Sequence, residues 1–212
     1  MTALFPPLER QAELKANRLS MSRGGALLFD GVSLNLGPGD VLWVKGDNGI
    51  GKTTLLEALS GLSRPETGTI NWQSDAIEVP ASYIAAYQPH RSFAKPALTA
   101  KEDLAFWAQI YGNLDGLDTV IESVGLKDKH NISTRGLSAG QLKRLALAKL
   151  MLSQKPIWIM DEPDAAMDSV GVKLIDALIN QQLARGGSAI IASHNTPRKL
   201  GHNTRTLTLK AP

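Results

Sequence analysis

The sequence predicts an α/β protein with a mixed sheet core, an N-terminal antiparallel β subdomain and a small helical subdomain. Three stretches carry that expectation. Gly46-Asp47-Asn48-Gly49-Ile50-Gly51-Lys52-Thr53 fits G-x-x-x-x-G-K-[ST] and lies between an apolar run, Val41 to Val44, and a helix-forming run, Thr54 to Leu59. Pro156-Ile157-Trp158-Ile159-Met160-Asp161-Glu162-Pro163 reads as a buried strand with two acids at its C-terminal end. Between them, Leu137-Ser138-Ala139-Gly140-Gln141 opens a helix within a stretch, about 89–152, of different character.

In chain order, residues 1–13 look like a loose extension, because Pro6-Pro7 blocks regular structure. Leu14 to Met21 and Leu28 to Leu36 alternate polar and apolar and read as strands joined by a turn at Arg23-Gly24-Gly25. Gly37-Pro38-Gly39-Asp40 turns the chain into the strand before the glycine-rich loop. There Gly46, Gly49 and Gly51 let the backbone curl around phosphates with its N–H groups inward. Lys52 adds a charge for the β and γ phosphates, and the Thr53 hydroxyl suits Mg²⁺. A glycine-rich turn that binds nothing is the bland alternative; the strand–loop–helix order argues against it. Gly61 ends the helix, 64–68 forms a turn, and strands follow at Thr69 to Trp72 and near 82–87, the latter running into Gln88-Pro89.

Pro89 to Pro96 reads as an irregular basic loop, and Thr99-Ala100-Lys101-Glu102 as a capping box. Leu104, Trp107, Ala108 and Tyr111 then share one helix face, which reads as core packing rather than an aromatic ligand box. A second helix is expected over Leu117 to Val124. Ser138 and Gln141 again satisfy the capping-box pattern, so a purely structural account of that string exists. A helix start with Gly140 beside it also offers N–H groups and a hydroxyl to an anion, and both readings stand. Leu142 and Leu145 are expected to pack inward.

One acid after a buried strand could be a turn residue. Two, in a chain with a phosphate loop, suggest separate tasks: Asp161 holding Mg²⁺ through water, and Glu162 accepting the proton of an attacking water. Asp168 is at least an N-cap for a helix carrying Ile175, Leu178 and Ile179, stopped at Gly186-Gly187. Ala189 to Ser193 is a buried strand ending at His194. A strand-end histidine is usually a structural hydrogen bonder, but its place beside the other strand ends favours a functional role. Residues 204–209 alternate like an edge strand.

The bulk figures exclude several classes. The chain has 212 residues, 43 % hydrophobic and 20 % charged, as in an ordinary globular protein with a substantial core. The net charge of +3 comes without a dense Lys/Arg block, so nucleic acid is not expected as a partner. The absence of cysteine removes disulfides and thiolate metal sites. No apolar run approaches the roughly 18 residues of a membrane span, and the N-terminus lacks the pattern of a secretory signal. Any membrane association is expected to come through partner subunits.

Together the phosphate loop, Gln88, LSAGQ at 137–141, the acidic strand end, Asp168 and His194, in that order, resemble the ATP-binding subunits of ABC transporters over roughly residues 14–210. The resemblance implies one P-loop NTPase domain of ABC type, with a core of about 14–88 and 153–210 and a helical subdomain of about 89–152. It implies ATP and Mg²⁺ as cofactors. It also implies a second copy of the chain, so that each ATP lies between one phosphate loop, 46–53 with Thr54, and Ser138, Gly140 and Gln141 of the other copy. By the same resemblance Gln88 senses Mg²⁺ and the membrane subunit. Thr53 and Asp161 serve the metal, Lys52 and His194 the phosphates, Glu162 the water, and Asp168 communication across the dimer.

The short length, GLSRPETGTINWQ, YQP and LTAKEDLAFWAQIYG are similar to the ATP-binding subunits of the cytochrome c maturation, or haem exporter, system. Those work beneath integral membrane subunits at the cytoplasmic face of the inner membrane, where hydrolysis releases haem-loaded chaperone. None of the four histidines forms a haem motif, so no haem binding is expected. The ATPase of another small export system, for drug, lipid or polysaccharide, is the alternative. A soluble ABC protein acting on ribosomes or DNA usually has two nucleotide domains or coiled coils, absent here. An inactive binding module conflicts with Lys52, Asp161, Glu162 and His194. Three positions depart from the family pattern: Arg23 where an aromatic often meets adenine, Ala139 in the signature, and Met167 before Asp168. A guanidinium can stack on a base through its flat face, so Arg23 is expected at adenine.

Overall fold

Alternating side chains over β1 (Ala12–Arg23) and β2 (Ala26–Leu36) form an antiparallel hairpin, with Leu14, Ala16 and Leu19 buried. In this computed structural model residues 7–91, 94–201 and 203–211 are described; the start of the expected extension and residues 92–93 of the basic loop lie outside them. β1 begins at Ala12, two residues earlier than the alternation suggested, and also pairs with β4 (Thr67–Ser74). With β5 (Ile77–Glu78) these make a sheet of order β2-β1-β4-β5.

The second sheet has order β6-β7-β8-β3-β9, from β3 (Asp40–Lys45), β6 (Ala85–Gln88), β7 (Ile157–Asp161), β8 (Ser188–Ala192) and β9 (Asn203–Thr208). All its pairings are parallel, so the expected mixture of strand directions divides between two sheets. β9 lies at the edge, as its Thr/Leu alternation suggested. Every residue of β7 and β8 is buried. Both faces of these strands are covered, which is why they read as unbroken apolar runs.

Strand pleating sends alternate residues into two cores. Val41, Trp43, Trp158 and Met160 face the cluster built with α3 (Ala100–Tyr111), α4 (Leu117–Ser123), α5 (Ala139–Ser153) and α6 (Ser169–Ala184). Leu42, Val44, Ile157 and Ile159 face the other, which holds α1 (Lys52–Leu59) and the buried face of β1. Trp72 ties β4 to α1 by donating from Nε1 to the Leu59 carbonyl at 2.9 Å.

Local caps set the helix starts. Glu102 N–H donates to Thr99 Oγ1 at 3.2 Å, and Thr99 N–H to Glu102 Oε2 at 2.8 Å. Gln141 and Ser138 make the same reciprocal pair at 3.2 and 2.9 Å, and Asp168 Oδ1 accepts from Gly171 N–H at 2.7 Å. Leu145 is fully buried and Leu142 half-buried. The strand expected over 82–87 differs: Ala81–Ile84 is a helical turn, α2, and only Ala85–Gln88 is extended. Pro80, at φ −60°, starts that turn, and Ala81 and Ile84, three apart, are the buried pair.

Leu104 is fully buried where α3 packs on α5. Leu104→Ala should lower unfolding free energy by about 2–5 kcal/mol, read from urea denaturation.

Candidate functional site

β3 delivers the phosphate loop, and α1 leads away from it. Two glycines in the loop have no substitute. Gly51 is the N-cap of α1 at φ +103°, where a Cβ would lie 3.0 Å from Leu28 Cβ; at Gly46, φ +148°, it would lie 2.8 Å from Ile50 Cγ2. No side chain caps α1, so its first N–H groups remain for an anion. Lys52 is buried and its Nζ donates to the carbonyls of Gly46 and Asp47 at 2.8 and 3.1 Å. The Asp47 carbonyl and the half-buried Ile50 side chain thus shape the loop from within.

A cavity of about 220 Å³ opens above the loop. Asn48, Gly49, Gly51, Lys52, Thr53 and Thr54 form its floor; Arg23 and Leu28 reach in from the antiparallel sheet. His90, Asp161, Glu162 and His194 complete it. The parallel sheet arranges this convergence, because β7 and β8 end beside β3.

Asp161, the last residue of β7, accepts from Thr53 Oγ1 at 2.7 Å. Glu162 adopts φ +51°, the left-handed region that non-glycine residues rarely enter. Its N–H donates to the Ala192 carbonyl at 2.9 Å, and its own carbonyl accepts from Lys143 Nζ at 2.7 Å. Glu162 Oε1 lies 3.2 Å from His194 Nε2, within ion-pair reach but outside hydrogen-bond alignment.

Gln88 ends β6 opposite Met160, one residue before Asp161. Its amide is buried with neither atom hydrogen-bonded. It lines a neighbouring groove of about 120 Å³ with Tyr87, Trp107 and Tyr111, rather than the cavity over the loop. The Trp107 and Tyr111 rings stack at 5.7 Å on the edge of that groove, so the aromatic face of α3 is only partly core. Burial, with the Asp161 and then the Glu57 charge, pushes the Tyr87 phenol far above its ordinary range.

The Thr53 hydroxyl, the Asp161 carboxylate and the orphaned Gln88 amide are the hard oxygen donors that Mg²⁺ takes. Among the described residues no group of three or more His, Cys, Asp or Glu could hold a metal, and of these three donors only the Asp161 carboxylate carries charge.

Ser138, Gly140, Gln141 and Asp168 do not join the loop. They line a separate cavity of about 360 Å³, with Arg144 and Ala166, which shares no residue with the first.

Sequence reasoning missed Lys143, His90 and Leu28. Lys143 is buried on α5, and its Nζ also donates to the His90 carbonyl at 2.8 Å. Burial pushes its pKa down, against the pull of Asp161, Glu162 and Asp164. Its signal was a lysine on the inward stripe of a helix, in line with Ala146, Leu147 and Leu150. His90 carried no local pattern and Leu28 only that of a strand; strand ends and sheet packing bring them to the cavity.

A family model described as ABC transporter matches residues 29–165. The chain belongs to the ABC transporter family. Among curated proteins, this ABC ATPase is 44 % identical over 188 residues to the cytochrome c biogenesis ATP-binding export protein CcmA of Mannheimia succiniciproducens, covering 86 % of this chain and 87 % of that one. It is 42 % identical over 181 residues to the protein of that name in Paracoccus denitrificans, covering 85 % and 82 %. Solved structures share the fold. A putative ABC transporter ATP-binding protein from Pyrococcus furiosus superposes with TM-score 0.76 at 24 % identity, covering 93 % of this chain and 97 % of that one. A dimeric ATP-binding cassette, in a post-hydrolysis state bound to ADP and Pi, gives 0.75 at 20 % identity, covering 86 % and 88 %. The chain is thus an ATP-binding, ATP-hydrolysing ABC protein.

Lys143→Met would leave the Glu162 and His90 carbonyls without their ammonium donor. A loss of about 1–3 kcal/mol of stability is expected in thermal melts, with slower ATP hydrolysis by the folded protein.

Proposed function

We propose that two copies of this ABC ATPase close head to tail over two ATP molecules. In doing so they drive an export complex of the cytochrome c maturation, haem-exporter kind. The observation that carries this proposal is the division of the nucleotide residues between two cavities with no common residue. One copy supplies the loop, Asp161, Glu162 and His194; Ser138, Gly140 and Gln141 of the other close the lid. A single helix N-terminus contributes only about 1 kcal/mol to holding an anion. Two surfaces closed over a triphosphate exclude water and strengthen each contact. ATP then holds the dimer together, and hydrolysis releases it.

Within each site, Lys52 and the loop N–H groups hold the β and γ phosphates. Bound Mg²⁺, held by Thr53, Gln88 and Asp161, would neutralise phosphate charge. Glu162 accepts the proton of the attacking water, and His194, 3.2 Å from it, steadies the γ-phosphate. Arg23, on the cavity wall beside Leu28, stacks on adenine. Asp168, lining the signature cavity, carries the state of one site to the other. Residues 89–152 act as the helical subdomain of one domain whose core is about 14–88 and 153–210.

The groove beside Gln88 suits an apolar segment of an integral membrane subunit, since Trp107 and Tyr111 line it and the Gln88 amide forms part of its wall. In this reading the chain is peripheral, at the cytoplasmic face of the inner membrane, and its hydrolysis releases haem-loaded chaperone. Among the described residues no helix is long and apolar enough to cross a membrane. The relatedness to cytochrome c biogenesis ATP-binding export proteins supports the cytochrome c assignment.

Glu162→Gln should bind ATP, accumulate dimers by light scattering and lose about 100- to 10,000-fold in turnover. Normal turnover would remove Glu162 from the base role. Trp107→Asp should abolish co-purification with integral membrane subunits of the cytochrome c maturation complex, while ATP binding persists.

A further inference from the structure

The β7–β8 ladder ends at the pair Asp161 and Ala192. One more backbone bond follows, from Glu162 N–H to the Ala192 carbonyl. Beyond it, a polar network centred on the buried Asp164 and Ser193 takes over. Asp164 Oδ1 accepts from Ser193 Oγ at 2.8 Å, and Ser193 Oγ accepts from Asn195 N–H at 3.0 Å. Arg198 Nη1 donates to Asp164 Oδ2 at 2.9 Å, and Arg198 Nε to Asp176 Oδ1, on α6, at 2.7 Å. The guanidinium lies 5.1 Å from the Trp43 ring, and Trp43 Nε1 donates to the Arg198 carbonyl at 3.1 Å. Asp164 is 4 % exposed and Ser193 1 %, so these groups are shielded from competing water.

Asp164 lies two residues after Glu162, and Ser193 immediately before His194. We infer that Asp164, Ser193 and Arg198 are positioning residues for ATP hydrolysis, clamping the turn that carries Glu162 to the segment that carries His194. This role rests on the reading of Glu162 and His194 as the hydrolytic pair. The pair needs outside support, because Glu162 Oε1 and His194 Nε2 are 3.2 Å apart without making a hydrogen bond. Glu162 also sits in a left-handed backbone conformation that its surroundings must impose. Burial works against the Asp164 charge. Bonds from Asn195, Arg198 and Ser193, with the Arg198 charge, outweigh it and hold the carboxyl below its usual range. The clamp is therefore ionic at neutral pH. Arg198 anchors it to α6 and β3, elements outside both catalytic segments.

Steady-state hydrolysis and binding of a fluorescent ATP analogue, measured on the folded fraction of each variant, test the clamp. Asp164→Asn should lower kcat about tenfold, with nucleotide affinity and KM changed by less than about twofold. Arg198→Gln should match it, and Arg198→Lys, which keeps a cation for Asp164, should restore part of the rate. Asp164→Asn combined with Arg198→Gln should be no slower than either single variant, since both break one unit. If Asp164→Asn does not fold, Ser193→Ala removes a single hydroxyl and carries the same expectation. Full kcat in folded Asp164→Asn or Ser193→Ala, beside an inactive Glu162→Gln control, overturns the clamp and leaves the hydrolytic pair standing. An equal rate for Arg198→Lys and Arg198→Gln overturns the ionic role. An active Glu162→Gln overturns the pair and the clamp together.

Discussion

Parallel pairing of β7, β8 and β3 is the constraint on which the site depends. In a parallel sheet, neighbouring strands end at the same edge, about 4.8 Å apart, and whatever follows them must converge. Met160 lies opposite Ile191, and Val44 opposite Ala192. The residues that come next are the acid pair, His194 and the phosphate loop. β6 adds Gln88 on the same edge. A slip of one residue in any of these strands would exchange its two faces between the two cores. Burial of Trp158, Ile159 and Ile190 therefore protects the geometry of the cavity as well as the fold.

The site concentrates charge where water is scarce. Lys52, Lys143, Asp161, Glu162 and Asp164 are all buried. Four have hydrogen-bonding partners: loop carbonyls for Lys52, the Glu162 and His90 carbonyls for Lys143, Thr53 for Asp161, and Ser193 with Arg198 for Asp164; Glu162 Oε1 makes no hydrogen bond and has His194 Nε2 at 3.2 Å. A buried charge without such partners would cost several kcal/mol. Backbone carbonyls do much of this work for the cations. They leave the carboxylates of Asp161 and Glu162 free of lysine side-chain pairs.

The signature helix illustrates how one motif can carry two functions. The Ser138 and Gln141 side chains complete a reciprocal cap on α5, so the string has a folding role within its own chain. The same helix start, with Gly140 close to the Ala166 carbonyl, lines a cavity apart from the phosphate loop. Lys143, one turn along that helix, holds the carbonyl of Glu162. The helix thus has its N-terminus at one cavity and a lysine of its body bonded beside the other.

Much of this was readable in the sequence, because the signals are local. Glycine spacing specifies a loop that must reach φ +103° at Gly51, and Thr99 with Glu102, or Ser138 with Gln141, specifies a cap through neighbours three apart. Apolar runs ending in Asp161-Glu162 and His194 declare buried strands with ionisable groups at their ends. The helical turn at Ala81–Ile84 escaped, because a four-residue segment carries too little periodicity to override an apparent strand. Only the tertiary structure decided that β3, β8 and β7 are neighbours, that Arg23 and His90 share a cavity, and that Asp164 meets Ser193 and Arg198 across 29 and 34 residues of chain. Such contacts join segments whose separation leaves no trace in local pattern; they exist because sheet order and side-chain packing bring distant strand ends together.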